Sequence, residues 1–152
     1  MKLQEGVDLH FIDTDQFTTN RIRIRFAAEM SETTVAGRVL VANIFEMGNQ
    51  EFQTAQAVRR RLAELYGAQF STSVSKRGRV HCVDVTISYV SPRHLPENED
   101  ITVEILDFLY TCIFRPLKKG RGFDSQIFEV EKTNLINFLQ SEIEDNFYHA
   151  DV

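Results

Sequence analysis

The sequence predicts an α+β domain: a two-layer sandwich with helices on one face of a mixed or antiparallel sheet, in the order ββααββαα. Three observations predict it. Two strand-period segments precede two helix-period segments, and the same doublet then recurs. The strand segments alternate apolar with polar residues, so each buries a single face. The helical segments carry apolar stripes that need a surface to cover. The chain has 152 residues, 43% hydrophobic and 26% charged, which suits one domain over residues 1–152 with a sizeable core.

The elements follow in order. "GVDLHFI" alternates Val7, Leu9 and Phe11 with Asp8 and His10, a first strand. "NRIRIRFAAE" alternates more cleanly, with Ile22, Ile24 and Phe26 on one face and Arg21, Arg23 and Arg25 on the other. "SETTVAGRVLVANIFEMGN" is the first helix, with cap candidates from Ser31 to Thr34 and a Gly48-Asn49 stop. Between Val39 and Met47 only Asn43 and Glu46 interrupt its apolar run, so this helix is expected to be buried on most sides. "TAQAVRRRLAELYG" is the second helix, with Thr54 as N-cap, Val58, Leu62 and Leu65 facing inward, and Gly67 as the residue after the C-cap.

"AQFSTSVSKRGRVHCVDVTISYV" reads as a hairpin turning at Lys76-Arg77-Gly78. "SPRHLPENED" is a loop carrying two of the three prolines. Ile101, Ile105, Leu109, Cys112 and Ile113 share one face of the next helix, which stops before Pro116. "KKGRG" is a second loop. The last helix starts near Asp124 and carries Leu135, Phe138, Leu139, Ile143 and Phe147. The ending "FYHADV" has no stop signal, as expected for the cut end of a longer chain.

Composition narrows the function classes. The net charge of -5 argues against a dedicated nucleic-acid binder, and twelve Phe with no Trp favour a Phe-filled core. No run reaches the ~18 apolar residues of a membrane span, and the start "MKLQEGVDLHF" lacks a signal peptide's apolar core. Cys82 and Cys112 form no CxxC unit, which suits a reduced interior, so a cytoplasmic location is expected.

Motifs for chemistry are sparse. His10, His81, His94 and His149 show no helical ligand spacing, and all four are read as surface or strand-edge histidines. No GxSxG elbow is present, and burial suits Cys82 and Cys112 better than nucleophilic work. "KKGRGF" lacks the spacing of a phosphate loop. The basic clusters Arg59-Arg60-Arg61 and Lys118-Lys119-Gly120-Arg121 read as solvated surface, as do Glu142, Glu144 and Asp145 near the end.

Several strings in sequence carry more. "EMGNQEF" follows the apolar helix, "AVRRRLAELYGAQFSTSVSKRG" comes next, and "FDSQIFEVEKTNLINFLQSEIED" closes the chain. In this order they resemble the N-terminal part of the insulinase/pitrilysin family, zinc peptidases marked by an inverted H-x-x-E-H helix. The resemblance covers nearly the whole chain. Gly48-Asn49 takes the place of the family's Gly-Thr, so the zinc motif falls on Val39 to Asn43. The resemblance puts histidines at Val39 and Asn43, the general-base glutamate at Ala42, and a further glutamate ligand near Asn137 or Phe138. None of those residue types is present. Zinc chemistry needs imidazoles to hold the metal and a carboxylate to deprotonate its water.

The resemblance therefore implies a catalytically inactive, insulinase-type peptidase-like domain, the first of a longer chain, with no metal or cofactor. It looks most like a bacterial subfamily whose members accompany an active homologue, some of them associated with elongation factor P modification. The implied partners are a competent insulinase-like homologue in a hetero-oligomer, or a second copy, with an extended peptide as ligand. The strand Phe70, Ser71, Thr72, Ser73, Val74 is the candidate for peptide pairing, set against an interior strand whose edges are occupied. Two other readings stay open: a zinc peptidase with ligands drawn from His10, His81 or Glu46, and a stand-alone binding module. Val39→Asp should destabilise the domain by about 2 kcal/mol or more, because a buried carboxylate would lack a partner.

Overall fold

Alternation along three long segments builds the sheet. In a computed structural model, which describes residues 1–144, these are β3 (Thr19–Glu29), β4 (Gln69–Arg77) and β5 (Val80–Val90). Their order is β3-β5-β4, every pairing is antiparallel, and β5 is the middle strand. The sheet is thus antiparallel and not mixed. Tight β4–β5 pairing runs to Arg77 opposite Val80, so the hairpin turns at Gly78-Arg79, slightly beyond the expected point.

The register sorts side chains by parity. Ile22, Ile87 and Phe70 line up across the three strands, as do Ile24, Val85 and Thr72. This row meets α1 (Val35–Met47), α2 (Ala55–Glu64) and α3 (Thr102–Phe114). Phe45, Val58, Val85, Ile87, Ile105, Phe108 and Leu109 pack together as the core. α4 (Ser125–Glu144) packs along α1. The architecture is the expected α+β sandwich.

The opposite parity carries Arg21, Arg23 and Arg25 beside Ser88, Thr86 and Asp84. Arg25 grips Asp84 with two bonds, Nε to Oδ1 at 2.7 Å and Nη2 to Oδ2 at 2.6 Å. The fork geometry makes this the one strong ion pair of the sheet. The hydrogen bond from Arg25 holds the Asp84 carboxyl below its usual pKa against the opposing effect of burial, and the charges of Arg25, Arg23 and Arg77 add to this. A depressed carboxylate pKa contributes stability that is fully present above the unfolded value, near pH 4, and lost as pH falls through the folded one. The urea midpoint should therefore drop more between pH 5 and pH 2.5 in the native chain than in Asp84→Asn. Equal drops in the two proteins would refute the linkage.

Local signals place the helix ends. The Thr54 hydroxyl oxygen accepts from the Ala57 N–H at 3.1 Å, the expected N-cap of α2. Tyr66 and Gly67 are left-handed, with φ of 55° and 74°, and the Ala68 N–H returns to the Leu62 carbonyl. Asp124 caps α4 by accepting from the N–H groups of Gln126 and Ile127.

Three expectations are corrected. Only Val7–Asp8 of "GVDLHFI" is extended; as β2 it pairs with β1 (Lys2–Gln4) in a small ribbon of its own. Leu9 exchanges two hydrogen bonds with Met1 at the ribbon's end, each 2.7 Å, but is not itself strand, and neither are His10, Phe11 and Ile12. "KKGRG" is a miniature hairpin, β6 (Lys118–Lys119) with β7 (Gly122–Phe123), turning at a left-handed Gly120. The apolar residues of α4 are not enclosed: Phe138, Leu139 and Ile143 are exposed, and Leu135 is half-buried. α3 buries Ile105, Leu109 and Cys112 as expected, together with its N-cap residue Ile101, and leaves Val103, Leu106, Tyr110 and Phe114 open on its far side. Phe147 and His149 lie outside the described residues.

Candidate functional site

The positions that the resemblance assigns to a zinc motif lie on α1. Ala42 is 1% exposed and sits in the core layer with Leu40, Ile44 and Phe45. Val39 and Asn43 are half-buried, and Ala36 and Gly37 one turn earlier are exposed. The helix is thus enclosed along its second half and partly open along its first. On α4, Asn137 and Phe138 are exposed. Between them these positions offer an isopropyl group, a methyl group, two amides and a phenyl ring. No imidazole or carboxylate stands at any of them, so they cannot build a zinc-hydroxide site.

The scattered alternative fares no better. His10 is exposed in the segment after β2. His81 is not a surface residue: it lies in the middle strand, 4% exposed, and its Nδ1 finds no hydrogen-bond partner. Glu46 is engaged elsewhere. Among the described residues no three His, Cys, Asp or Glu side chains converge in a way that could hold a metal ion.

Burial differs along the same motif, and so should substitution costs. The expected cost of Val39→Asp is corrected downward: Val39 is half-buried and not buried, so a carboxylate there can reach water and should cost about 1 kcal/mol. The larger penalty moves to Ala42, where Ala42→Glu must bury a longer, charged side chain in a packed layer and should cost about 3 kcal/mol or more. Urea unfolding of the two variants measures the difference. A smaller loss for Ala42→Glu than for Val39→Asp would invert the assignment of the closed and open faces.

The candidate peptide strand is an edge. β5 flanks β4 on one side, and no strand occupies its other side among the described residues. That edge is not free, however. The half-buried Glu46 of α1 presents one oxygen, Oε1, to the Thr72 backbone N–H at 2.6 Å and to the Thr72 hydroxyl at 2.7 Å. Ser71, Ser73 and Val74 are exposed, and Phe70 packs edge-on against Phe108 at 5.5 Å. Of the five candidate residues, two are therefore tied into the fold.

The turn after α1 is a structural node. Asn49 is fully buried; its side-chain oxygen accepts from the N–H groups of Glu51 and Phe52 at 3.0 and 2.8 Å. Its amide nitrogen donates to the Cys112 sulfur at 3.5 Å, and its backbone bridges to Pro116. Burial pushes the Cys112 thiol up to about 12, against the lowering effect of that hydrogen bond. The thiol is therefore protonated near neutrality and unsuited to nucleophilic work. Cys82 is buried and free as well.

Sequence reading offers Glu46 only as a metal ligand and Asn49 only as a helix stop, and misses the hydrogen bonds each makes. The signal was available, because polar residues punctuating an apolar run must find partners when buried. Their partners lie too far along the chain to be named in advance. The basic clusters fit the expected surface role: Arg59 and Arg60 are exposed, and Arg61 pairs with Glu64 at 3.3 Å. Glu142 is half-buried, and Asp145 lies outside the described residues. No described helix is long and apolar enough to cross a membrane.

No family profile matches the chain. A protein of Bacillus subtilis (strain 168), named "Probable inactive metalloprotease YmfF", is 23% identical over 147 residues, covering 97% of this chain and 34% of that protein. The crystal structure of a conserved protein from Enterococcus faecalis V583 superposes with a TM-score of 0.87 at 31% identity, covering 92% of this chain and 33% of that one. The chain thus spans about a third of the length of both relatives.

Proposed function

We propose that this chain is a catalytically inactive metallopeptidase-like domain, of the insulinase type, that serves as a scaffold and as one wall of a peptide chamber beside an active homologue. The observation that carries the reading is the replaced motif on α1. On the resemblance, Val39, Ala42 and Asn43 take the positions of the metal-binding and proton-accepting groups, and among the described residues no three His, Cys, Asp or Glu side chains converge to replace them. The likeness to a protein named an inactive metalloprotease supports the same reading.

The chamber role draws on β4. An edge strand offers backbone groups to an extended peptide, and neighbouring side chains then select among sequences. The active partner would supply the chemistry that α1 lacks. In the resemblance this arrangement accompanies elongation factor P modification, which gives a cellular readout.

The test is a pull-down of the tagged full-length protein from its own cell extract, read by mass spectrometry. Recovery of a homologue with an intact H-x-x-E-H helix in fixed ratio is the expected result. Recovery of no such homologue, with stoichiometric zinc in the purified protein, would overturn the reading in favour of an enzyme with another ligand set. An unchanged mass of elongation factor P in a deletion strain would remove the modification link alone.

A further inference from the structure

The edge of β4 carries its own occupant. Antiparallel pairing alternates, so residues of one parity turn both N–H and C=O towards the neighbouring strand, and residues of the other parity turn both away. The Thr72 N–H is engaged by Glu46, hence Thr72 belongs to the outward set, and Phe70 and Val74 share its parity. These three residues are the groups that an added strand would use. Its central contact would be a peptide carbonyl accepting from Thr72 N–H. Glu46 Oε1 already accepts at that point, at 2.6 Å, and takes the Thr72 hydroxyl as well.

We propose that Glu46 is a built-in competitor for the peptide-pairing edge of β4, and that it selects for extended peptides bearing a lysine or arginine opposite Thr72. The inference rests on the reading of β4 as a peptide-pairing strand. Its chemistry is direct. A peptide that pairs through Thr72 must lift Glu46 away, and a half-buried carboxylate stripped of two hydrogen bonds is left poorly satisfied. A neutral peptide offers it nothing in return. A cationic side chain at the displaced carboxylate restores a charge-assisted partner and offsets the loss. With no incoming peptide, the same contact covers the central amide of an exposed edge and blunts edge-to-edge association.

The test uses the full chain and two fluorescein-labelled, Thr-rich nonapeptides that differ only at the centre, lysine or leucine. Binding is followed by anisotropy, and amide exchange at Phe70, Thr72 and Val74 reports whether β4 is the strand engaged. The native protein should bind the lysine peptide about tenfold more tightly than the leucine peptide. Glu46→Ala should bind both alike, and bind the leucine peptide more tightly than the native protein does. Glu46→Gln keeps an acceptor for Thr72 without the charge, so it should lose the lysine preference while leaving the edge covered; it also serves if Glu46→Ala does not fold. Equal binding of both peptides by all three proteins, with β4 amides protected, would overturn the role of Glu46 and leave β4 as a peptide strand. No binding of either peptide by any of them would overturn both.

Discussion

Gly48→Ala will lower the stability of this domain by about 3 kcal/mol, through backbone strain combined with steric overlap. Gly48 has φ of 150° and ψ of 173°, a region that essentially only glycine occupies. A methyl group built there would lie 2.9 Å from Leu117 Cδ1, 3.0 Å from the Phe52 carbonyl oxygen and 3.1 Å from the Gln53 carbonyl carbon. The leucine tip can swing aside, but the two backbone atoms cannot. They belong to the turn that Asn49 organises, with the Asn49 N–H donating to the same Phe52 oxygen at 2.9 Å. Relief of the overlap must therefore loosen the bonds that Asn49 makes. Urea unfolding measures the loss, and a change below about 1 kcal/mol would show that the turn can rearrange.

Phe108→Ala should cost about 3–5 kcal/mol, the range for removing a buried aromatic ring. Phe108 is 3% exposed and joins three elements. Its ring meets Phe70 of β4 edge-on at 5.5 Å, and Phe52 of the post-α1 turn at 6.0 Å and 38°. Truncation leaves a void between helix, turn and edge strand that rigid neighbours cannot close. Because Phe70 is two residues from Thr72, the variant should also speed amide exchange along β4. Exchange on β4 that stays native, in a protein destabilised by the full amount, would show that the edge is held by Glu46 and β5 without help from the core.

The Gly48-Asn49 turn and the α1 face beside it are held by different means. Backbone geometry and buried hydrogen bonds fix the turn. Val39 and Asn43 are half-buried, so the packing there is less exacting.

What could be read along the chain was what short-range interactions enforce. The Thr54 cap acts three residues ahead, Asp124 acts two and three residues ahead, and Gly67 is needed for its own backbone angle. Alternation in "NRIRIRFAAE" put the arginines on one side of a strand, because the pleat forces it. Residue identity alone also excludes Val39 as a metal ligand and Ala42 as a proton acceptor. The rest needed the register and the packing. Arg25 meets Asp84 across 59 residues, Glu46 meets Thr72 across 26, and Asn49 meets Cys112 across 63. Periodicity says which face a side chain joins and is silent on which partner stands opposite. The same limit explains "GVDLHFI" and the exposed stripe of α4. An alternating or amphipathic pattern records that a segment suits a surface, and only the assembled fold supplies the surface or withholds it.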